Sequence, residues 1–145
     1  MHENHHHSCQ AIVFKCIDFR LENETRRWLD ENSLTNNCDI VSLAGSSKDL
    51  SGNNPSIINL LLTQIKISHD LHQAKEVILI HHSDCGAYKN AYSFKSPEEE
   101  KEIQSIDLEK SKTIIERNFK DMAVKKIWAQ MADSNGKKVD FQIIN

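Results

Sequence analysis

The sequence predicts an α/β fold: an open parallel sheet of about four strands with flanking helices and an antiparallel C-terminal edge strand. Three observations carry this. Short β-branched and aromatic runs alternate along the chain with longer stretches of helical apolar period. The run Glu76-Val77-Ile78-Leu79-Ile80 is apolar on both faces, as parallel strands covered by helices are. The last run, Val139-Asp140-Phe141-Gln142-Ile143, follows a Ser134-Asn135-Gly136 turn and alternates like a half-exposed edge.

The elements follow in order. Ala11-Ile12-Val13-Phe14-Lys15-Cys16 has the composition and length of a first strand. Helix formers fill residues 22–31, where Leu21, Trp28 and Leu29 make an apolar stripe. Asp39-Ile40-Val41-Ser42-Leu43 reads as the second strand, closed by Ala44-Gly45 and a polar loop. Asn54 caps a helix that Pro55 opens, with Ile57, Ile58, Leu61, Leu62, Ile65 and Leu71 along it. After the third strand, Ser96-Pro97-Glu98-Glu99 is a capping box for a helix running to about Phe119. Its inward residues are expected to be Ile103, Ile106, Ile114 and Ile115, with Glu98–Glu102 a solvated face. Val124 to Met131 is the fourth strand.

A length of 145 residues suits one domain with a substantial core. We read residues 1–10 as a mobile His-rich tail, with histidines at 2, 5, 6 and 7, and residues 11–145 as the single domain. With 39% hydrophobic and 27% charged residues the chain is not a disordered one. A net charge of -3 gives no reason to expect a nucleic-acid partner. No apolar run approaches bilayer length, so no membrane partner is expected. The opening MHENHHHSCQ lacks the basic and apolar regions of a secretory signal, and the expected location is cytoplasmic. There, Cys9, Cys16, Cys38 and Cys85 read as thiols or metal ligands rather than disulfides. Cys9 is read as a loose thiol and Cys38 as packing.

The chemistry gathers in two short stretches. Cys16 ends the first strand, in Lys15-Cys16-Ile17-Asp18-Phe19-Arg20; His82 and Cys85 follow the third, in ILIHHSDCG. Ligands of open parallel sheets collect outside the carboxyl ends of the strands. If the first and third strands are neighbours, two thiolates and an imidazole meet at one rim. Two cysteines and a histidine with an open position make a donor set of catalytic Zn2+. Asp18 and Arg20, two apart in an extended segment, should face one side, where the guanidinium can hold the carboxylate off the metal. Asp84 is expected to cap the helix after Cys85.

These two stretches resemble the paired motifs of the β-class carbonic anhydrases. CIDFR is similar to their Cys-x-Asp-x-Arg, and HHSDCG to their His-x-x-Cys-Gly. The similarity extends to Ala44-Gly45 after the second strand and to Gly136-Lys137 near the end. Ser42-Leu43 stands where the family commonly has Arg-Asn, and Phe19 where a serine is usual. The resemblance implies Cys16, His82 and Cys85 as zinc ligands and Asp18 and Arg20 as the catalytic dyad. It implies a lyase for the reversible hydration of carbon dioxide to bicarbonate by water activated on zinc, working as a homodimer or higher homo-oligomer. The alternatives are a zinc hydrolase of carbonyl sulfide or carbon disulfide on the same site, and a non-catalytic zinc-binding module. The His-x-x-Cys spacing selects His82. His81 points to the opposite face of the strand and should not share its metal.

Overall fold

The computed structural model describes residues 7–145. The mobility expected of the tail therefore lies, for residues 1–6, outside the described part. The remaining elements are β1 (Ala11–Cys16), α1 (Glu22–Glu31), β2 (Cys38–Leu43), α2 (Pro55–His72), β3 (Glu76–His82), α3 (Gly86–Ala91), α4 (Pro97–Asn118), β4 (Ala123–Met131) and β5 (Val139–Ile144). Short 3-10 turns at Phe19–Leu21 and Lys48–Ser51 precede α1 and α2.

One five-stranded sheet runs in the order β2-β1-β3-β4-β5. The first four strands are mutually parallel and β5 pairs antiparallel with β4. This is the α/β arrangement expected, with its antiparallel edge. Alternation along β1 sends Ala11 and Val13 to one face and Ile12 and Phe14 to the other. The first face packs with Leu29 of α1, Ile78, Ile80 and Ile127. The second packs with Leu61 and Ile65 of α2 and Leu108 and Ile115 of α4. Each such fully buried aliphatic side chain contributes about 1.5–3 kcal/mol of transfer free energy, so both layers hold the strands in place.

The helix ends follow their sequence signals. Asn54 accepts from Ser56 N and Ile57 N at 3.1 and 3.3 Å, and Ser96 accepts from Glu99 N at 3.1 Å. The buried face of α4 is different from the one expected. Ile106 is 51% exposed, while Glu100, Gln104, Asp107 and Ser111 turn inward with Leu108 and Ile115. Helical period alone selects isoleucines, but this face covers the loop after β3, whose backbone groups need polar partners.

Because β1 leads to β2 on one side and neighbours β3 on the other, strand order reverses between β1 and β3. The crevice at such a reversal opens at the carboxyl ends of the strands. Cys16 and His82 end those two strands.

Candidate metal centre

Cys16, His82 and Cys85 converge at the β1/β3 crevice, with one donor atom from each lying within 4.8 Å of the others. Ligand atoms on a tetrahedral zinc stand about 3.3–3.8 Å apart, so a small contraction would close the set on an ion. His82 Nδ1 lies 2.6 Å from Ser83 O. A carbonyl can only accept, so Nδ1 carries the proton and Nε2 presents a lone pair. That Nε2 is buried and has no hydrogen-bond partner among the described residues. A buried polar atom with no partner is costly, and a cation between it and the two sulfurs removes the cost. The donor set fits zinc.

The thiols are prepared by their neighbours. Cys85 and then His82 pull the Cys16 thiol down to about 4, against burial, and Gly45 N donates to its sulfur at 3.4 Å. Cys85, fully covered, is pushed up by the adjacent Cys16 sulfur and by burial. Gly45 has φ +79°, a left-handed conformation that glycine tolerates best, and its backbone N–H reaches Cys16 from there.

Asp18 and Arg20 meet, but for a local reason other than the one expected. The segment is not extended. Asp18 caps the 3-10 turn, accepting from Arg20 N at 3.0 Å, and the turn folds the guanidinium back over the carboxylate. Arg20 Nε donates to Oδ1 at 3.1 Å and Nη2 to Oδ2 at 2.7 Å. That pairing holds the Asp18 carboxyl below the usual carboxylate range. Asp18 Oδ2 stands 3.9 Å from His82 Nε2, beside the donor set.

Arg20 is gripped from behind as well. Nη1 donates to Asp84 Oδ2 at 2.9 Å and to Ser134 O at 3.3 Å, and Nη2 to Asp84 O at 3.0 Å. All of its donor nitrogens are engaged. Asp84, expected as a helix cap, does not cap α3: it sits at φ +56° and pairs instead with Arg20 and Lys89. Gly136, at φ +71°, packs so tightly that an added Cβ would stand 2.1 Å from Arg20 O. The β4–β5 hairpin thus closes over Arg20 only with glycine there.

Sequence reasoning missed the support under Cys85. Glu100, placed on a solvated face, is 4% exposed. Its carboxylate accepts from Asp84 N at 3.0 Å, Cys85 N at 2.9 Å and Gln104 Nε2 at 3.1 Å. Gln104 Nε2 also donates to His82 O at 2.9 Å, and its Oε1 meets His81 Nδ1 at 3.0 Å. Ser47 Oγ takes the other His81 nitrogen at 2.8 Å. Burial holds His81 down to about 3, so it stays neutral and belongs to this scaffold, not to the metal set. The polar spacing Glu100, Gln104, Asp107, Ser111 was the available signal. Phe19 is 86% exposed, and Tyr88 is buried with its hydroxyl donating to Asp107 at 2.8 Å. A surface cavity of about 560 Å³ touches Ser83, Asp84 and Phe94 but none of the three donors. The chemistry is located by the donors, not by that hollow.

A doubly covered sheet with a Cys-His-Cys donor set at its strand reversal and a clamped carboxylate beside it defines a metal-binding α/β protein. Residues 6–140 match the family described as "Putative carbonic anhydrase", and the chain belongs to the β-class carbonic anhydrase family. An uncharacterized protein of Rickettsia bellii is 31% identical over 118 residues, covering 79% of this chain and 72% of that one. Two solved structures share the fold. The β-carbonic anhydrase isoform I of Trichomonas vaginalis has 16% identity and a TM-score of 0.58, over 99% of this chain and 87% of that one. A tetrameric β-carbonic anhydrase of Sordaria macrospora has 11% identity and a TM-score of 0.63, over 96% and 82%. No helix among the described residues is long and apolar enough to cross a membrane.

Proposed function

We propose that the chain is a zinc-dependent carbonic anhydrase that interconverts carbon dioxide and bicarbonate. The observation that carries the reading is the buried His82 Nε2, unpartnered among the described residues and facing two sulfurs, with a carboxylate held 3.9 Å away. Cys16, His82 and Cys85 would hold the metal, which when bound lowers the pKa of a ligated water to near ~7. Asp18 accepts the hydrogen bond of the attacking water and aims its lone pair at the carbon. A C–O bond forms, one C=O electron pair moves to oxygen, and a proton leaves to solvent, giving bicarbonate. Arg20 keeps Asp18 in that role. Both carboxylate oxygens are engaged by Arg20, so the group is restrained from becoming a fourth ligand.

The chain is further read as a homodimer or larger. Ile17 and Phe19 are 61% and 86% exposed beside the centre, and Ile40 is 48% exposed on the β2 edge. Apolar surface next to an open strand edge supports self-association. The four cysteines are unpaired, which supports a reducing, cytoplasmic setting.

The test is metal content and carbon dioxide hydration on one sample, with light scattering beside them. Wild type should hold zinc at this centre and hydrate carbon dioxide. Cys85→Ser should lose that zinc, with a rate loss exceeding the ~100-fold typical of changes outside the ligand shell. Zinc bound without hydration would refute the reading; turnover of carbonyl sulfide or carbon disulfide on the same sample would then redirect it. A monomer of 16.6 kDa with full activity would refute the assembly.

A further inference from the structure

A second cluster stands at the opposite end of the sheet. Cys9 precedes β1, Asp39 is the second residue of β2, and His72 ends α2. One donor atom from each lies within 4.8 Å of the others. Backbone bonds fix the approach: Cys9 N donates to His72 O at 2.9 Å, and Gln10 N to Asn37 O at 3.0 Å. Cys9 Sγ donates to Asp39 Oδ2 at 3.9 Å, and His72 Nδ1 lies 2.6 Å from the same oxygen. The thiol also has Ala11 O at 3.4 Å as an acceptor, so Asp39 Oδ2 takes the imidazole proton and stands at the outer reach of the thiol. Asp39 and His72 side chains are 35% and 27% exposed, so an ion can reach them from solvent. One helical turn before His72, the Ser68 hydroxyl is buried beside both Cys9 and Asp39.

We propose that Cys9, Asp39 and His72 form a second metal site, for Zn2+ or a similar divalent cation, that fastens the N-terminal segment to the amino end of the sheet. Thiolate, imidazole and carboxylate together suit zinc rather than calcium or magnesium. Binding removes the Cys9 thiol proton and shifts the ring proton of His72 to Nε2. The two anionic donors then balance the divalent charge. Zinc ligands lie about 3.3–3.8 Å apart, so the 2.6 Å Asp39–His72 contact opens and the 3.9 Å Cys9–Asp39 contact barely changes. No arginine holds Asp39, so here the carboxylate is itself free to ligate. His7 lies beside the set, its ring centroid 4.8 Å from that of His72. A fully protein-ligated zinc is structural rather than catalytic.

The site is independent of the activity assigned to the carboxyl end, and its test separates the two. In full-length protein with His2, His5 and His6 replaced by alanine, zinc analysis should find two ions per chain. Cys9→Ser and His72→Ala should each leave one ion and an unchanged hydration rate, whereas Cys85→Ser should keep the second ion and lose the first. Asp39→Asn, close to isosteric, guards against misfolding. With cobalt in place of zinc it should weaken the second equivalent while leaving the Cys9 sulfur-to-cobalt absorption detectable at excess metal. A background protein holding one ion per chain, displaced by Cys85→Ser, would overturn the proposal. So would a second ion retained in both Cys9→Ser and His72→Ala.

Discussion

The two ends of the sheet bring together similar donors and treat them differently. At the carboxyl end, each group has a neighbour that orients it. Ser83 O fixes His82, Gly45 N meets Cys16, Glu100 holds the backbone of Cys85, and Arg20 takes both oxygens of Asp18. At the amino end, the Cys9 and His72 side chains both reach the carboxylate they would bind with, and Asp39 itself has no arginine to hold it. The difference lies in the supporting shell. A carboxylate clamped by arginine stands next to a metal without occupying it, while an unclamped one completes the coordination. The first arrangement leaves a position for water; the second closes. The same fold therefore offers a reactive end and a fastening end.

Removing the clamp should make the carboxyl end behave like the amino end, and this is the largest effect expected. Arg20→Ala removes the guanidinium from both Asp18 oxygens, keeping only the backbone N–H on Oδ1, and leaves the metal in place. The carboxylate should then join Cys16, His82 and Cys85, and hydration should fall by ~100-fold or more. X-ray absorption should show a carboxylate oxygen in place of the ligated water, with the number of light ligands unchanged. Asp18→Ala combined with Arg20→Ala should return water to that position, without restoring the full rate. Unchanged turnover in Arg20→Ala would mean the clamp has no part in the chemistry.

A change beneath the ligands should distinguish the two ends again, with a smaller effect. Glu100→Ala removes the acceptor of Asp84 N and Cys85 N and leaves two buried donors unpaired. That should cost about 2–4 kcal/mol of stability, read by urea unfolding. Zinc affinity at the carboxyl end should fall ~10–100-fold, while binding at Cys9 and His72 stays as it was. Equal loss at both ends would show that Glu100 acts on the fold at large and not on the Cys85 loop.

How much of this the sequence disclosed follows from the range of the forces involved. Strands, caps and the Cys16–His82–Cys85 set were legible, because each rests on local composition or on a motif whose spacing matches a known family. The supporting shell was not. Glu100 looks solvated within Glu98–Glu102, and only its packing over Asp84 N and Cys85 N shows otherwise. Asp84 suited a helix cap, yet its left-handed backbone turns the side chain to Arg20. Cys9 read as a loose thiol because Asp39 and His72 lie far along the chain. Parallel pairing of Ala11 with Cys38 and with Glu76 brings their segments together, and no local pattern records that.

The smallest expected effect concerns a second imidazole at the amino end, three residues before His72. His69 Nδ1 lies 2.8 Å from Asp70 Oδ1, and Nε2 lies 2.8 Å from Asp121 Oδ2. Carboxylates only accept, so both ring nitrogens donate and the ring is held as imidazolium. Asp121 first, then Asp70, raises its pKa above the ordinary value, against slight burial. The sign follows. A raised folded-state pKa contributes stability that is complete below the unfolded value of about 6.5 and is lost as pH rises through the folded one. His69→Gln should therefore lower the Tm most near about pH 6 and leave it unchanged at about pH 9. The partners are exposed and screened by salt, so the shift should be about 2 °C or less and should shrink further at high ionic strength. Zinc should not alter it, whereas His72→Ala should lower the Tm more in the zinc-loaded protein than in the metal-free one, where only its bond to Asp39 is lost. One imidazole at this helix end would then be held by a proton and its neighbour by a metal. A pH-independent loss in His69→Gln would assign that residue to packing instead, and a zinc-dependent one would draw it into the second site.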